Sequence, residues 1–139
     1  MEARENKIHF ENGLFGFENY RFYFPVAVEE GSDAVIILQN AEDENLSFTI
    51  MNPFYLLGDY EPAVEEKELE SLGKAQETDY SWYVICTMRM PAGKSTVNLK
   101  CPIVVNTVTG EAKQVILDSE QYGFRHTLEE LTQKEKEVC

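Results

Sequence analysis

The stretch SWYVICTMRMPAGKSTVNLKCPIVVN, residues 81–106, decides the fold that this sequence predicts. Its two halves are rich in β-branched and aromatic residues, which suit the pleated surface of a β-sheet. Gly93 gives a turn signal between them, so the pattern predicts two strands joined by a hairpin. Similar short apolar runs, separated by turn residues about every ten positions, continue on both sides. The chain as a whole is therefore predicted to be mainly β.

The letters GKST at residues 93–96 also match the end of a phosphate-binding loop. A complete loop needs a second glycine where this chain has Met88, and the loop opens a long helix. The segment after Thr96 is strand-like and contains Pro102, which does not suit a helix. We therefore interpret residues 92–94 as a hairpin turn and favour that interpretation over a nucleotide site.

The runs nearer the N-terminus predict further strands. Ile8 and Phe10 alternate with polar neighbours, and a turn signal follows at Gly13. The run YRFYFPVAV predicts a strand that Pro25 ends or places at a sheet edge. The continuous apolar run VIILQN, residues 35–40, is typical of a strand buried on both faces.

Two segments predict helices. Residues 63–73 place apolar side chains at near-helical spacing and end at Gly73, a residue that favours a helix C-terminus. Residues 127–139 open with Thr127 followed three positions later by Glu130, which is the pattern of a capping box. This last segment is either a docked helix or a tail that becomes ordered on a partner.

These elements predict one domain covering residues 1–139, since a chain of 139 residues can bury a core without disulfides or metals. The predicted fold is mainly β: a small antiparallel β-barrel-like domain, or a sandwich, with one or two short helices.

The chain is strongly acidic. Its formal charge is −13, which repels nucleic acids and anionic membrane surfaces and attracts a basic protein partner. The acids cluster in residues 29–45 and 61–79. We therefore expect no direct nucleic-acid or membrane binding, although solubility alone also explains each single carboxylate.

Cysteine usage and the N-terminus predict the compartment. The chain has three cysteines, an odd number: Cys86, Cys101 and Cys139. Cys86 and Cys101 lie in apolar strand-like runs, so we expect both to be small buried hydrophobic residues. This pattern suits a reducing environment. The first residues carry no apolar signal region, and no run approaches the roughly 20 apolar residues of a membrane span. We expect a cytoplasmic protein.

No catalytic or metal-binding constellation is visible. His9 alternates with apolar neighbours and is predicted to face solvent, while His126 lies far away along the chain, beside a helix start. Neither has metal-ligand spacing to a cysteine or carboxylate. Cys86 and Cys101 have no adjacent histidine, and burial raises the pKa of a thiol. We expect no enzyme activity, no metal and no cofactor.

Two aromatic turns are better candidates for function. NGLFGFENY, residues 12–20, carries several large apolar side chains around two glycines. They either plug the mouth of a barrel or meet a partner. MNPFYLLGDY, residues 51–60, combines aromatic residues with Asp59. Aromatic side chains beside an acidic rim suit a basic protein partner.

Four segments, in this order, resemble the flagellar assembly factor FliW family: FENGLFGFENYRFYFPV, ILQNAEDENLSFTIMNPFYLLGDY, VNLKCPIVVNTVTGEAKQVIL and YGFRHTL. The resemblance runs from residue 7 to residue 128. The positions expected to recur in that family hold Gly13, Gly16, Phe17, Glu18, Gln39, Pro53, Asp59, Tyr60, Asn98, Pro102, Asn106, Gln114, Arg125 and His126. The chain departs from the pattern at Phe15, where many members of that family have proline.

The resemblance implies a small β-barrel-like protein that is not an enzyme and has two partners. One is flagellin, held through its C-terminal region before export. The other is CsrA, a small dimeric RNA-binding protein that represses flagellin translation. Accumulated flagellin would occupy this protein and leave CsrA free to repress; after secretion, this protein would capture CsrA. The alternative is a flagellin-specific export chaperone with no role in translation control.

We predict two partner-binding surfaces on a protein that is a monomer when free. The apolar surface is predicted as an exposed groove from Leu14, Phe15, Phe17, Phe54 and Tyr60. The acidic surface is predicted from Glu42, Asp43, Glu44, Asp59, Glu65 and Glu66.

Overall fold

The computed structural model describes residues 7–73 and 76–138. The strands in these ranges are β1 Ile8–Phe10, β2 Phe22–Ala27, β3 Val35–Asn40, β4 Ser47–Met51, β5 Tyr80–Thr87, β6 Thr96–Val97, β7 Ile103–Asn106, β8 Glu111–Gln114 and β9 His126–Thr127. The α-helices are α1 Pro53–Leu56, α2 Glu66–Glu70 and α3 Leu128–Val138. None of these helices is long and apolar enough to cross a membrane.

Seven strands close into a ring in the order β4-β3-β2-β1-β8-β7-β5, and β5 returns to β4. The two remaining strands extend the sheet at the C-terminal end of β5: β6 pairs with β5, and β9 pairs with β6. The predicted mainly β, barrel-like fold is confirmed. Every pair in the ring is antiparallel except β1 with β8. Strand directions cannot alternate all round a closed ring with an odd number of strands, so one parallel pair is required.

The predicted hairpin in residues 81–106 is confirmed, with a longer connection than expected. Strands β5 and β6 pair antiparallel, with Cys86 opposite Val97 and Thr87 opposite Thr96. A single 3₁₀ turn, Ala92–Lys94, lies within the connection. The GKST letters therefore belong to a strand connection and not to a loop that opens a helix.

Two apolar cores lie on opposite faces of the wall formed by β5 and β7. The barrel interior contains Tyr83 and Ile103, while the neighbouring residues Val84 and Val104 point into an outer core. The outer core is covered by residues from the helices and the C-terminal segment, including Leu131. Strand β7 is therefore buried on both faces, because the barrel covers one face and the helices cover the other.

The two ends of the barrel differ. At the end where the chain passes from β1 to β2, Leu14 is fully buried among interior residues and closes the barrel; we call this the plugged end. Gly13 turns the chain inward at φ +68°, and a Cβ there would lie 2.5 Å from the Glu18 Cα. At the opposite, open end, a depression of about 470 Å³ reaches interior residues such as Ile36 and Val105.

Some predictions about single elements were wrong. The run 35–40 is not buried on both faces: Ile36, Leu38 and Asn40 point inward, while the alternate side chains are half-buried. His9 does not face solvent freely, because it stacks on Phe22 at 4.6 Å and contacts Glu111. Pro25 does not end β2, because it lies inside the strand and pairs with Leu38 of β3; β2 also pairs with β1, so it is not at the edge of the sheet.

Both predicted helices are present, but the first is shorter than the predicted range 63–73. Helix α2 covers only Glu66–Glu70, and Gly73 follows it at φ +100°. Helix α3 begins with the predicted capping box: the Thr127 N–H donates to Glu130 Oε1 at 2.7 Å, and the Glu130 N–H donates to Thr127 Oγ1 at 3.1 Å. Leu131 is buried in the outer core, so the helix is docked. Cys139 lies outside the described residues.

Candidate protein-binding surface

The predicted apolar residues do not form one exposed groove. Phe15 and Phe17 are 47% and 38% exposed, so the turn after the plug presents both rings outward. Leu14 and Tyr60 are buried, and their assignment to a partner surface is wrong. The reason for Leu14 is the turn at Gly13, which directs this side chain into the barrel.

The hydroxyl of the buried Tyr60 has a hydrogen-bond acceptor inside the protein. It donates to the Leu99 carbonyl at 2.7 Å, and the ring packs against Tyr122 at 4.7 Å. Burial raises the pKa of Tyr60. Phe54 is 39% exposed and contacts the Tyr60 ring edge-on at 5.9 Å. Phe54 therefore lies over the outer core and away from Phe15 and Phe17.

A groove of about 620 Å³ lies at the plugged end, and we call it the aromatic groove. Phe17 is fixed there by an edge-on contact with Phe48, with ring centroids 5.0 Å apart. Phe124 adds a third ring, 61% exposed, from the loop before β9. The groove is lined by Phe15, Phe17, Phe48, Ile85, Thr87, Arg89, Thr96, Asn98, Cys101, Gln114, Phe124 and Arg125.

The charge of the aromatic groove is opposite to that of the chain. The chain has 25 acidic and 12 basic residues, but the groove is lined by two arginines and by no carboxylate. Both Arg89 and Arg125 are exposed. Among the ion pairs of the described residues, none involves either arginine. The guanidinium groups are therefore available to an anion.

Arg89 is positioned by the buried hydroxyl of Ser95. The Arg89 N–H donates to Ser95 Oγ at 2.9 Å across the β5–β6 connection. The Ser95 carbonyl also accepts from the Leu128 N–H at 2.9 Å, which ties this connection to the start of α3. Ser95 thus fixes the backbone of the loop that carries Arg89.

Phe124 and Arg125 are positioned by His126. The Gly123 N–H donates to His126 Nε2 at 2.7 Å and closes a tight turn with Phe124 and Arg125 at its tip. The Gly123 carbonyl accepts from the Lys100 N–H at 3.0 Å. An Nε2 that accepts a hydrogen bond carries no proton, so this contact selects the tautomer protonated on Nδ1. His126 acts here as a structural residue.

Gln114 holds Phe15 in place. Its side-chain oxygen accepts from the Phe15 N–H at 2.9 Å, and its amide nitrogen donates to the Cys101 carbonyl at 3.1 Å. The Gln114 side chain is buried, so both bonds are shielded from water. These two bonds join the Phe15 and Cys101 backbones through one buried side chain, at two positions that line the aromatic groove.

A second groove, of about 340 Å³, lies on the other side of Phe15, and we call it the acidic groove. Glu65, Glu68 and Asp118 contribute its charge, and Ile116 contributes an exposed apolar side chain. Lys113 lies 2.5 Å from Glu68 and lowers the pKa of that carboxyl. Phe15 lines both grooves, so it forms a shared ridge between an acidic and a basic depression.

The other predicted acids lie on exposed turns. Glu42 and Glu44 lie in the β3–β4 hairpin, at the plugged end, with Asp43 half-buried between them. Asn40 Oδ1 accepts from the Glu42 and Asp43 N–H groups at 2.9 and 2.8 Å. Asn40 therefore holds the first turn of the hairpin. Asp59 and Glu66 are also exposed, but neither lines the acidic groove.

The histidines, cysteines and carboxylates of the described residues are dispersed. Within residues 7–73 and 76–138, no three His, Cys, Asp or Glu side chains lie close enough to hold a metal ion. Cys86 and Cys101 are buried, and burial raises the pKa of both thiols.

Comparison with known proteins identifies the family. The family model described as FliW protein matches residues 1–128. The chain belongs to the FliW family. It is 33% identical over 124 residues to the flagellar assembly factor FliW of Symbiobacterium thermophilum, covering 89% of this chain and 90% of the relative. It is 33% identical over 139 residues to that of Thermosipho africanus, covering 97% and 94%.

The fold agrees with a solved member of the family. A crystal structure of the flagellar assembly factor FliW matches this FliW-family chain with a TM-score of 0.81 at 33% identity. The match covers 89% of this chain and 86% of that chain. The predicted resemblance is therefore confirmed, and the chain is a flagellar assembly factor of the FliW family.

Sequence reasoning missed the basic component of this FliW surface. Arg89, Phe124 and Arg125 lie in two loops that are distant in sequence, and no motif joins them. The acidic groove was partly predicted, because Glu65 lines it.

Proposed function

We propose that this FliW-family chain is a non-catalytic switch in the cytoplasm that binds either flagellin or CsrA. Bound flagellin would leave CsrA free to repress the flagellin message, and released protein would capture CsrA and relieve repression. The observation that carries this proposal is the pair of oppositely charged grooves that share Phe15 at one end of the barrel.

The acidic side of this surface suits CsrA. A protein that binds RNA presents basic residues, and the carboxylates of the acidic groove and of the β3–β4 hairpin attract them. Such attraction accelerates association and weakens as salt is added. The same carboxylates repel RNA phosphates, so the protein can oppose RNA binding without covering every RNA contact.

The shared ridge supports exclusive binding. Phe15 is half-exposed and lines both grooves, and Gln114 fixes its backbone. A partner that packs on one face of the Phe15 ring restricts access to the other face. Two partners that prefer opposite charges would therefore compete, although their main contacts differ.

Calorimetric titration of this protein into CsrA, with and without flagellin monomer, tests the switch. We expect saturable CsrA binding that flagellin abolishes. A variant with Glu42→Gln, Asp43→Asn and Glu44→Gln should bind CsrA more weakly at low salt, where charge effects are largest. Saturable binding of both partners at once would contradict the switch, and CsrA binding that is equal in variant and wild type would contradict the role of the hairpin acids.

A flagellin-specific chaperone is the second candidate. The aromatic groove favours it, because two unpaired arginines repel a basic partner and leave flagellin as the occupant. In the same titration, binding of flagellin without any binding of CsrA would establish the chaperone and reject the switch.

A further inference from the structure

We infer that His126 is a pH-sensitive switch for one wall of the aromatic groove. The neutral ring closes the turn of residues 123–126, which carries Phe124 and Arg125 at its tip, and protonation of the ring opens that turn. This inference goes beyond the proposed function, since it concerns the shape of the groove and holds whichever partner binds.

The hydrogen bond that closes the turn requires a neutral ring. The Gly123 N–H donates to His126 Nε2 at 2.7 Å. A protonated imidazole carries a hydrogen on each ring nitrogen and accepts no hydrogen bond. The new hydrogen on Nε2 would point at the hydrogen of the Gly123 N–H, so the two groups would repel each other. Histidine is the side chain that takes up a proton between about pH 8 and about pH 5.

The tip of the turn depends on this bond. Among the described residues, no hydrogen bond holds Phe124 or Arg125 directly. The turn is tied to a neighbouring segment through the Gly123 carbonyl, which accepts from the Lys100 N–H at 3.0 Å. The side chains of Phe124 and Arg125 are exposed, so little packing replaces the lost bond. Protonation of His126 therefore frees two residues that line the aromatic groove.

A carboxylate is in position to attract the charged ring. Glu130 Oε2 lies 3.9 Å from His126 Nδ1, which is too far for a hydrogen bond. The other oxygen, Oε1, accepts from the Thr127 N–H at 2.7 Å, so the capping box holds this carboxylate in place. The charged ring is attracted to Glu130, and the half-buried Gly123 N–H can bond to water. The two protonation states of His126 thus favour two different contacts.

The other charged groups nearby are directed elsewhere or are screened by water. Strand β6, which pairs with β9, contributes Thr96 and Val97, neither of which titrates. The Lys100 ammonium donates to a backbone carbonyl at 2.6 Å, and the Glu129 carboxylate lies 3.8 Å from a lysine of the turn 92–94. Arg125 repels a charged ring, but it is exposed to solvent.

The second histidine responds in the opposite way. The chain has two histidines, and His9 Nδ1 lies 2.9 Å from Glu111 Oε1. A charged His9 ring keeps this contact and strengthens it, because both groups are then ionised. Protonation therefore supports the contact of His9 and breaks that of His126. His9 is accordingly the internal control.

Nuclear magnetic resonance of the full chain alone tests the switch, at about pH 7.5 and about pH 5.5, on either side of the ordinary histidine value. Ring ¹⁵N shifts report the protonation of His126, and we expect the Nδ1-protonated tautomer at the higher pH. Once the ring is charged, the Gly123 amide should exchange about fivefold faster, after correction for the intrinsic pH dependence, because one hydrogen bond is lost. Backbone order parameters at Phe124 and Arg125 should fall from about 0.85 towards about 0.6.

Three variants separate the groups involved. His126→Gln supplies an amide oxygen that accepts from the Gly123 N–H and does not titrate, so Gly123 exchange should be equally slow at both pH values. His9→Gln should respond to pH as the wild type does. Glu130→Gln keeps an acceptor for the Thr127 N–H and removes the charge, so the turn should open at a lower pH than in the wild type.

Three outcomes would overturn the inference. A proton on His126 Nε2 at about pH 7.5 would contradict its role as an acceptor. Unchanged Gly123 exchange in wild-type protein with a charged ring would show that the turn does not open. A pH response that His126→Gln retains would place the response on other groups. These measurements involve no partner, so their failure is distinct from failure of the titrations that test the proposed function.

Discussion

The two ends of the barrel use polar side chains in opposite ways. At the open end, Asp33 accepts from Asn52 Nδ2 at 3.0 Å and from the Tyr83 hydroxyl at 3.3 Å, and Asn106 makes four hydrogen bonds to backbone groups. At the plugged end, Arg89 and Arg125 have no ion-pair partner among the described residues. Groups that are satisfied inside the molecule stabilise it, whereas groups left unpaired on a rigid frame are available to another protein.

The largest effect is expected from removing the plug. Leu14→Ala should lower the free energy of unfolding by about 2–5 kcal/mol, because Leu14 is fully buried and its loss leaves a cavity in the barrel interior. Val108→Ala, an exposed apolar truncation at the open end, should change it by less than about 0.5 kcal/mol. Urea unfolding measures both. Similar values for the two variants would mean that the ends do not differ in packing.

A smaller loss is expected at the open end from Asn106→Ala, about 1–3 kcal/mol. Asn106 is fully buried; its amide donates to the Leu72 and Gly73 carbonyls at 3.1 and 3.2 Å, and its oxygen accepts from the Val108 and Thr109 N–H groups at 2.9 and 3.2 Å. The substitution removes all four bonds: the Leu72 and Gly73 carbonyls keep the Thr109 and Tyr80 hydroxyls as donors, while the Val108 and Thr109 N–H groups lose this acceptor.

Asn45→Ala is the matched control for Asn106→Ala, because Asn45 is exposed in the β3–β4 hairpin. It should leave urea unfolding unchanged. Hydrogen exchange of the Val108 and Thr109 amides should accelerate only in the Asn106 variant. Equal exchange rates in both variants would show that the side chain contributes no protection there.

The last effect is absent at neutral pH and appears only in alkaline solution. Burial, and then the charge of Asp33, raise the pKa of Tyr83 from 10.0 to about 12. Between these values the folded chain keeps a proton that the unfolded chain has lost, so stability is complete below pH 10 and falls as pH rises. We expect Tyr83 to contribute a fall of about 1.4 kcal/mol per pH unit in this window.

Tyr83→Phe removes this contribution and nothing else that titrates. Its urea-unfolding free energy should therefore fall less steeply than that of the wild type between about pH 10 and about pH 12. Parallel curves for the two proteins would place the alkaline sensitivity on other groups, among them Tyr60, whose pKa burial also raises.

Much of the fold was accessible from the sequence, because it depends on local patterns. The alternation of Ile8 and Phe10 predicted an inward face, and both residues lie in the barrel interior. The capping box at Thr127 predicted the start of α3 to the residue. The number of strands in the ring was not accessible, and with it the parallel β1–β8 pair, since both depend on which distant strands meet.

The candidate surface was less accessible, because alternation stops at glycine turns. Leu14 and Phe15 are neighbours with similar side chains, yet one plugs the barrel and the other faces out. Gly13 at φ +68° decides between them; the Asn12-Gly13 pair predicts a turn there, but not which of the following side chains the turn directs inward. Tyr60 was misplaced for another reason: its burial depends on the Leu99 carbonyl, which belongs to a distant segment.

The parallel pair between β1 and β8 has a consequence for synthesis of the chain. Strand β1 can pair with β2 early in synthesis. Its second neighbour is β8, which is complete only when residue 114 of 139 has been made. Strand β4 likewise waits for β5. A nascent chain that stops before β5 exposes two open sheet edges, at β1 and at β4, and such edges pair readily with other chains. The C-terminal half therefore protects the N-terminal half from association on the ribosome as soon as it emerges.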